Sequence, residues 1–284
     1  MFELFKYHTC PNCGKKHDIL DEKCPHCGAI NQDRSPRSGS FANQVTFGHI
    51  REFLLAIAQF IVMYGILNLI QVIMVSVILA REGSPEAAQA WINANIGVLN
   101  IGLNLTSELL CLTAFAFIMW RYIPKLINSF KNPKVLLGIP LGLAMMFISV
   151  QISNFSYMIT GGASNMNSDA LDGLMTQSTF IYFLFAVILA PLVEEISYRV
   201  GMFTFLKRIH PAVAYVGVAV IFGLIHMHSL TDPVEWAYFP GYAFGGLALS
   251  FIYDKFGFGG SLLAHMTNNG IAVLVSIVAM KAGI

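Results

Sequence analysis

Glu194, Glu195 and Arg199 stand inside a run that is otherwise mostly apolar from Phe180 to Leu206. An ionised side chain at bilayer depth costs roughly 2.5–3.5 kcal/mol, so such a cluster points to function. Two later apolar stretches carry matching polar groups, Phe222 with His226 and His265 with Asn269. Glu195 and Arg199 are spaced to share a helix face and pair. Glu194 lies about 100° around the helix, so one carboxylate can be neutralised while the other faces a site. A glutamate with two histidines and an asparagine suits amide hydrolysis. The carboxylate takes a proton from water, a histidine orients that water, and the second histidine and the amide donate to the oxyanion. Glu194, His226 and His265 can equally hold Zn²⁺, with metal-bound water as nucleophile. The residues alone leave both chemistries open, and the chain has no HExxH motif.

The elements that position these groups follow from composition. Of 284 residues, 56% are hydrophobic and 12% charged, against about 25% charged in a soluble domain. Several windows exceed the length needed to cross a bilayer. The expected fold is an all-α polytopic membrane protein with about seven (or eight) transmembrane helices and a small amino-terminal zinc ribbon. A net charge of +1 gives no basis for bulk binding of nucleic acid. The polar, cysteine-rich start does not read as a cleavable signal peptide.

The first thirty residues hold Cys10-Pro11-Asn12-Cys13-Gly14 and Cys24-Pro25-His26-Cys27-Gly28. Each CxxC makes a tight knuckle, and two knuckles supply four sulfurs in the tetrahedron that structural Zn²⁺ accepts. Two disulfides would need an oxidising compartment. So small a segment has almost no core, so metal supplies most of its folding energy. His8, His17 and His26 are expected at the surface, outside the ligand shell. The head is expected to be a regulatory or docking module for substrate or a cytoplasmic protein. Residues 31–50, rich in Ser, Pro, Gly and Asn, read as a flexible linker. The transmembrane domain is then 51–284.

Apolar spans are expected at about 53–80, 96–120, 134–159, 180–206, 212–229, 237–253 and 260–281. Arg121, Lys125, Lys131 and Lys134 follow the second span, Lys207 and Arg208 the fourth, and Lys255 the sixth. The other connections hold Arg81 alone among Lys and Arg. The positive-inside rule places the amino terminus and the even-numbered exits in the cytoplasm of a multi-pass cell-membrane protein. Loop 160–179 is expected outside. Glu108 in the second span reads as a helix-tying group or a helper carboxylate behind the site. Lone Cys111 reads as packing.

The motifs EExxxR, FxxxH and HxxxN, in that order on successive apolar helices, resemble the CAAX-protease and bacteriocin-processing (CPBP/Abi) family of intramembrane proteases. The likeness covers about residues 135–280. It implies that Glu194 activates water with help from His226, that His265 and Asn269 stabilise the oxyanion, and that Glu195 with Arg199 forms a structural pair beside Phe222. It favours a glutamate mechanism over a catalytic zinc. The expected activity is hydrolysis of membrane-associated peptides or proteins. An immunity or scaffold protein without catalysis, and a proton-coupled carrier, are the competing classes.

Overall fold

The computed structural model describes residues 3–282. The head opens with two short antiparallel strands, β1 (Tyr7–Thr9) and β2 (Lys16–Asp18), in register Tyr7↔Asp18, His8↔His17 and Thr9↔Lys16. Each CxxC closes a tight turn, with Gly14 N–H on Cys10 O at 2.8 Å and Gly28 N–H on Cys24 O at 2.9 Å. Both glycines have positive φ, which explains the Gly after each knuckle. His17 departs from expectation. It is buried, with Nδ1 3.1 Å from Asp18 O and 3.6 Å from an Asp21 oxygen.

Among the described residues seven longer helices follow. They are α1 (His49–Glu82), α2 (Pro85–Lys131), α3 (Val135–Ile159), α4 (Met166–Gln177), α5 (Thr179–Ile209), α6 (Pro211–Ile225) and α7 (Pro233–Ala282). Five of them, α1, α2, α3, α5 and α7, are long and apolar enough to cross a membrane. Beyond the small hairpin of the head the described chain is helical, a multi-pass membrane protein with a cysteine cluster at its head. The seven expected stretches map onto these helices unevenly. The fifth, expected to run to 229, ends at Ile225. The sixth and seventh are the two arms of α7, which bends at Gly257 (φ 77°, ψ −175°).

That bend places His265 where it is needed. The second arm starts at once, so His265 lies two turns along it. Gly257 through Ser261 are buried, the condition under which irregular backbone is tolerated at this depth. The torsions at Gly257 belong to glycine alone, and a Cβ there would stand 2.8 Å from Asn43 O. Gly257→Ala is expected to cost about 1–3 kcal/mol. A thermal-unfolding midpoint equal to wild type would show that the bend is not required.

Residues 31–48, expected as a flexible linker, are packed. Phe41, Val45 and Phe47 are buried, the last two within the main core. Asn43 and Gln44 donate to Asp254 O at 3.2 and 3.1 Å. The loop expected over 160–179 contains α4, capped by Asn165 Oδ1 accepting from Ser168 N–H at 2.8 Å.

The charge sorting recurs in space. Lys125 bonds Asp21 at 3.2 Å. Lys207 bonds Ser40 O and Asp254. Arg208 bonds Glu52, Asp18 and Leu4 O. The head, the exits of α2 and α5 and the bend of α7 therefore share one end of the bundle. At the other end, Glu235 accepts from Met166 N–H and His228 N–H at 2.8 and 3.0 Å. Gly138 and Gly142 let α3 approach Gly260 and Ala264 of α7 closely.

Candidate functional site

The site forms where α5, the end of α6 and the second arm of α7 meet. α5 is not a regular helix there. From Glu195 to Phe203 its turns are wide, and at their end Thr204 N–H returns to Arg199 O, five residues back. The Thr204 hydroxyl donates to the same carbonyl at 3.1 Å. Wide turns of this kind often occur at functional sites.

Both carboxylates approach one imidazole. Glu195 Oε1 lies 3.0 Å from His265 Nδ1, and Glu194 Oε2 lies 3.9 Å from His265 Nε2. Glu195 Oε2 is also 3.4 Å from Arg199 Nε, with Glu195 and Arg199 fully buried. The expected Glu195–Arg199 pair is thus present, and it reaches His265 as well. Glu194 Oε2 is buried with no hydrogen-bond partner. A carboxylate oxygen left unpartnered in this way has a lone pair free to accept from a water.

Phe222 explains the FxxxH spacing. Its ring lies 4.8 Å below the Arg199 guanidinium, a cation–π contact. Its carbonyl lies 2.7 Å from His226 Nδ1. A carbonyl only accepts, so Nδ1 carries the proton and Nε2 is left for the site. His226 is the residue after α6, where the helix has ended, and its ring stacks on Tyr242 at 4.5 Å. Glu194 is within electrostatic reach of His226. Asn269 stands one turn beyond His265, and one Nδ2–H bonds Ala186 O at 2.9 Å. Its oxygen accepts from Asn268 at 3.2 Å. The other Nδ2–H remains available. The fold gathers Glu194, Glu195, Arg199, Phe222, His226 and His265, with Asn269 at the edge.

Motif reading passed over Tyr242, which sets the His226 ring plane. No spacing marks it beyond a place beside Gly241. It also passed over Glu52, whose position at the start of an apolar span was the available signal.

The cysteine cluster lies apart from this site. The four Sγ atoms of Cys10, Cys13, Cys24 and Cys27 lie within 4.8 Å of one another, close enough for one ion. The Asn12 side chain, then the Ala29 N–H, bring the Cys27 thiol down to about 6, while Cys13, against the pull of the Lys15 backbone, is pushed up to about 12 by burial and by the other three thiols crowded around it. Among the described residues no second group of three or more His, Cys, Asp or Glu side chains is gathered this tightly. Glu194, His226 and His265 are not among such tightly gathered groups.

Residues 176–271 match the family model of type II CAAX prenyl endopeptidase Rce1-like proteins. That span contains all three motifs, and the resemblance to CAAX proteases read from them stands. The chain is also similar to the "UPF0177 protein YvdC" of Lactococcus lactis, 25% identical over 162 residues. That similarity covers 57% of this chain and 56% of the relative, so the chain spans little more than half of the relative's length. No solved structure matches the chain. The CAAX-protease likeness thus rests on the part of the fold that carries the clustered polar groups.

Proposed function

We propose that the chain is an intramembrane endopeptidase of the CAAX-protease type that cleaves membrane-associated peptides or proteins with glutamate-activated water. The observation that carries this reading is the bare, buried Glu194 oxygen facing His265 Nε2 at 3.9 Å, with His226 in reach. Glu194 takes a proton from water while His226 Nε2 accepts a hydrogen bond from that water and orients it. The water oxygen attacks the carbonyl carbon. The proton on Glu194 then passes to the amine nitrogen as the C–N bond breaks.

His265 and Asn269 are the oxyanion donors. With Nδ1–H held by Glu195, Nε2 donates only when the ring is doubly protonated. The unpartnered Glu194 oxygen, free to accept from a water, supports the metal-free route.

In the head, Cys10, Cys13, Cys24 and Cys27 would hold Zn²⁺, which supplies folding energy and no chemistry. Reduced thiols and the charge sorting both support a cytoplasmic head. Packing of residues 31–48 makes the head part of the bundle's end and not a tethered recruiter. Purified protein in detergent, given a library of membrane-associated peptides, is expected to release fragments cut at defined bonds. No cleavage, while a CAAX protease prepared in parallel cuts, would end this reading. Elemental analysis is expected to find about one zinc per chain, lost in Cys10→Ser/Cys13→Ser. Zinc retained in that variant but lost in His226→Ala/His265→Ala would move the metal to the hydrolytic site.

A further inference from the structure

A cavity of about 450 Å³ opens where the head meets α1 and α2, and none of the clustered polar groups of the hydrolytic site lines it. Its lining divides by chemistry. Lys16 and Arg51 bring cations and Tyr7 a hydroxyl, while Ile50, Leu54 and Ile118 are apolar. The volume falls within the roughly 300–1,000 Å³ of ligand pockets.

The two cations are available. Among the described residues neither Lys16 nor Arg51 has a carboxylate partner. Arg51 makes one long bond, Nη1 to Phe47 O at 3.4 Å, and its guanidinium lies 5.0 Å over the Tyr122 ring. The carboxylates Glu52 and Asp18 are both engaged by Arg208. The Tyr7 hydroxyl sits over the start of α1, where Gly48 leaves room for it. A Cβ at Gly48 would stand 3.1 Å from Tyr7 Oη. α1 begins there with no side-chain cap, so its first turn adds partial positive charge beside the cavity.

The depth of the cavity points to its occupant. Ile50 and Leu54 are exposed apolar residues at the start of a membrane-spanning helix. Ile118 stands at the end of the apolar run of α2, and Trp120, Arg121 and Tyr122 follow it. Trp120 is exposed, with the Arg121 guanidinium 4.7 Å over its ring. Tryptophan and tyrosine collect at the headgroup level of a bilayer. The cavity therefore straddles that level, with cations for a phosphate and apolar residues for the first carbons of lipid tails.

We propose that this cavity binds one anionic phospholipid, its phosphate held by Lys16, Arg51 and Tyr7 and the start of its acyl chains lying on Ile50, Leu54 and Ile118. A zwitterionic lipid carries the same phosphate but brings its own cation, which Lys16 and Arg51 repel. Free phosphate carries the charge but leaves the apolar residues uncovered. The proposal does not rest on the hydrolytic reading.

Native mass spectrometry of the purified full chain in a neutral detergent tests it. Phosphatidylglycerol, phosphatidylcholine and inorganic phosphate are titrated separately. Phosphatidylglycerol is expected to add one tightly held copy, with phosphatidylcholine weaker and inorganic phosphate absent at the same concentrations. Each lysine or arginine facing an anionic lipid contributes about fivefold in affinity. Lys16→Gln/Arg51→Gln is thus expected to weaken phosphatidylglycerol binding about 25-fold and to leave phosphatidylcholine unchanged. Arg121→Gln removes a cation at the same level that does not line the cavity, and it is expected to bind as wild type. Equal affinity for the two lipids, or wild-type binding in Lys16→Gln/Arg51→Gln, overturns the proposal. An equal loss in Arg121→Gln overturns it in favour of diffuse attraction to the basic surface. Displacement of phosphatidylglycerol by equimolar inorganic phosphate overturns it in favour of a free-phosphate site. Should the double variant not fold, Lys16→Gln decides alone, because that side chain is exposed on β2 and its loss is expected to cost about fivefold.

Discussion

Glu194→Gln is expected to lower turnover about 10²- to 10⁴-fold, the usual worth of a positioned general base, with the unfolding midpoint unchanged. The substitution keeps shape and volume. Glu194 Oε2 has no hydrogen bond to lose, so the fold has little reason to respond. Glu195→Gln should behave differently. Glu195 is fully buried against Arg199 and His265, and removing its charge leaves a buried guanidinium unpaired. Such a break costs about 3–5 kcal/mol. The adjacent glutamates thus separate into one that matters for rate and one that matters for rate and stability together.

The measurement is steady-state cleavage and thermal unfolding on both variants in one detergent. Full turnover in Glu194→Gln would remove the general base from the scheme. A scaffold carrying the Glu194→Gln substitution would keep its phenotype, and a proton-coupled carrier would lose pH-dependent flux without any cleavage to lose.

The motifs were legible because each is a helical spacing. EExxxR puts Glu195 one turn from Arg199, and that pair is present at 3.4 Å. FxxxH was legible as a shared face but not as a chain of contacts. The link from Arg199 through the Phe222 ring and carbonyl to His226 needs α5 and α6 in place. Likewise no sequence window shows that His265 presents one nitrogen to each glutamate, because that depends on the wide turns of α5. The sorting of Lys and Arg among connections gave the common end of the bundle correctly. It counted Arg208 only as a charge of the connection after the fourth span and did not foresee that the side chain is fully buried. Residues 31–48 misled because Ser, Pro and Gly outweigh the few apolar residues in composition. Phe41, Val45 and Phe47 nonetheless bury enough surface to pin the segment.

Arg208→Met is expected to destabilise the whole protein by about 3–5 kcal/mol, as for any buried ion cluster that loses one sign of charge. Arg208 Nε and Nη2 donate to the two oxygens of Glu52 at 2.6 and 2.7 Å, a bidentate pair. Nη2 also lies 3.0 Å from Asp18 Oδ2, and Nη1 donates to Leu4 O at 2.5 Å. One guanidinium therefore joins α1, α5 and the head. Methionine fills the volume of the stem but leaves Glu52 and Asp18 buried without a counter-charge. Glu52→Gln in the Arg208→Met background is expected to recover part of the loss, since it removes one stranded anion, and the double-mutant cycle reads their coupling. The effect should reach further than stability. α5 carries Arg208 at one end and Glu194 about 20 Å along it, so a head that no longer grips Arg208 loosens the helix that bears the base. With the proposed metal in the head, stripping it by a chelator should act through the same joint, because the Asp18 carboxylate is presented by the segment that carries the four cysteines. A midpoint within error of wild type for Arg208→Met, with the metal still bound, would mean that the head merely lies against the bundle.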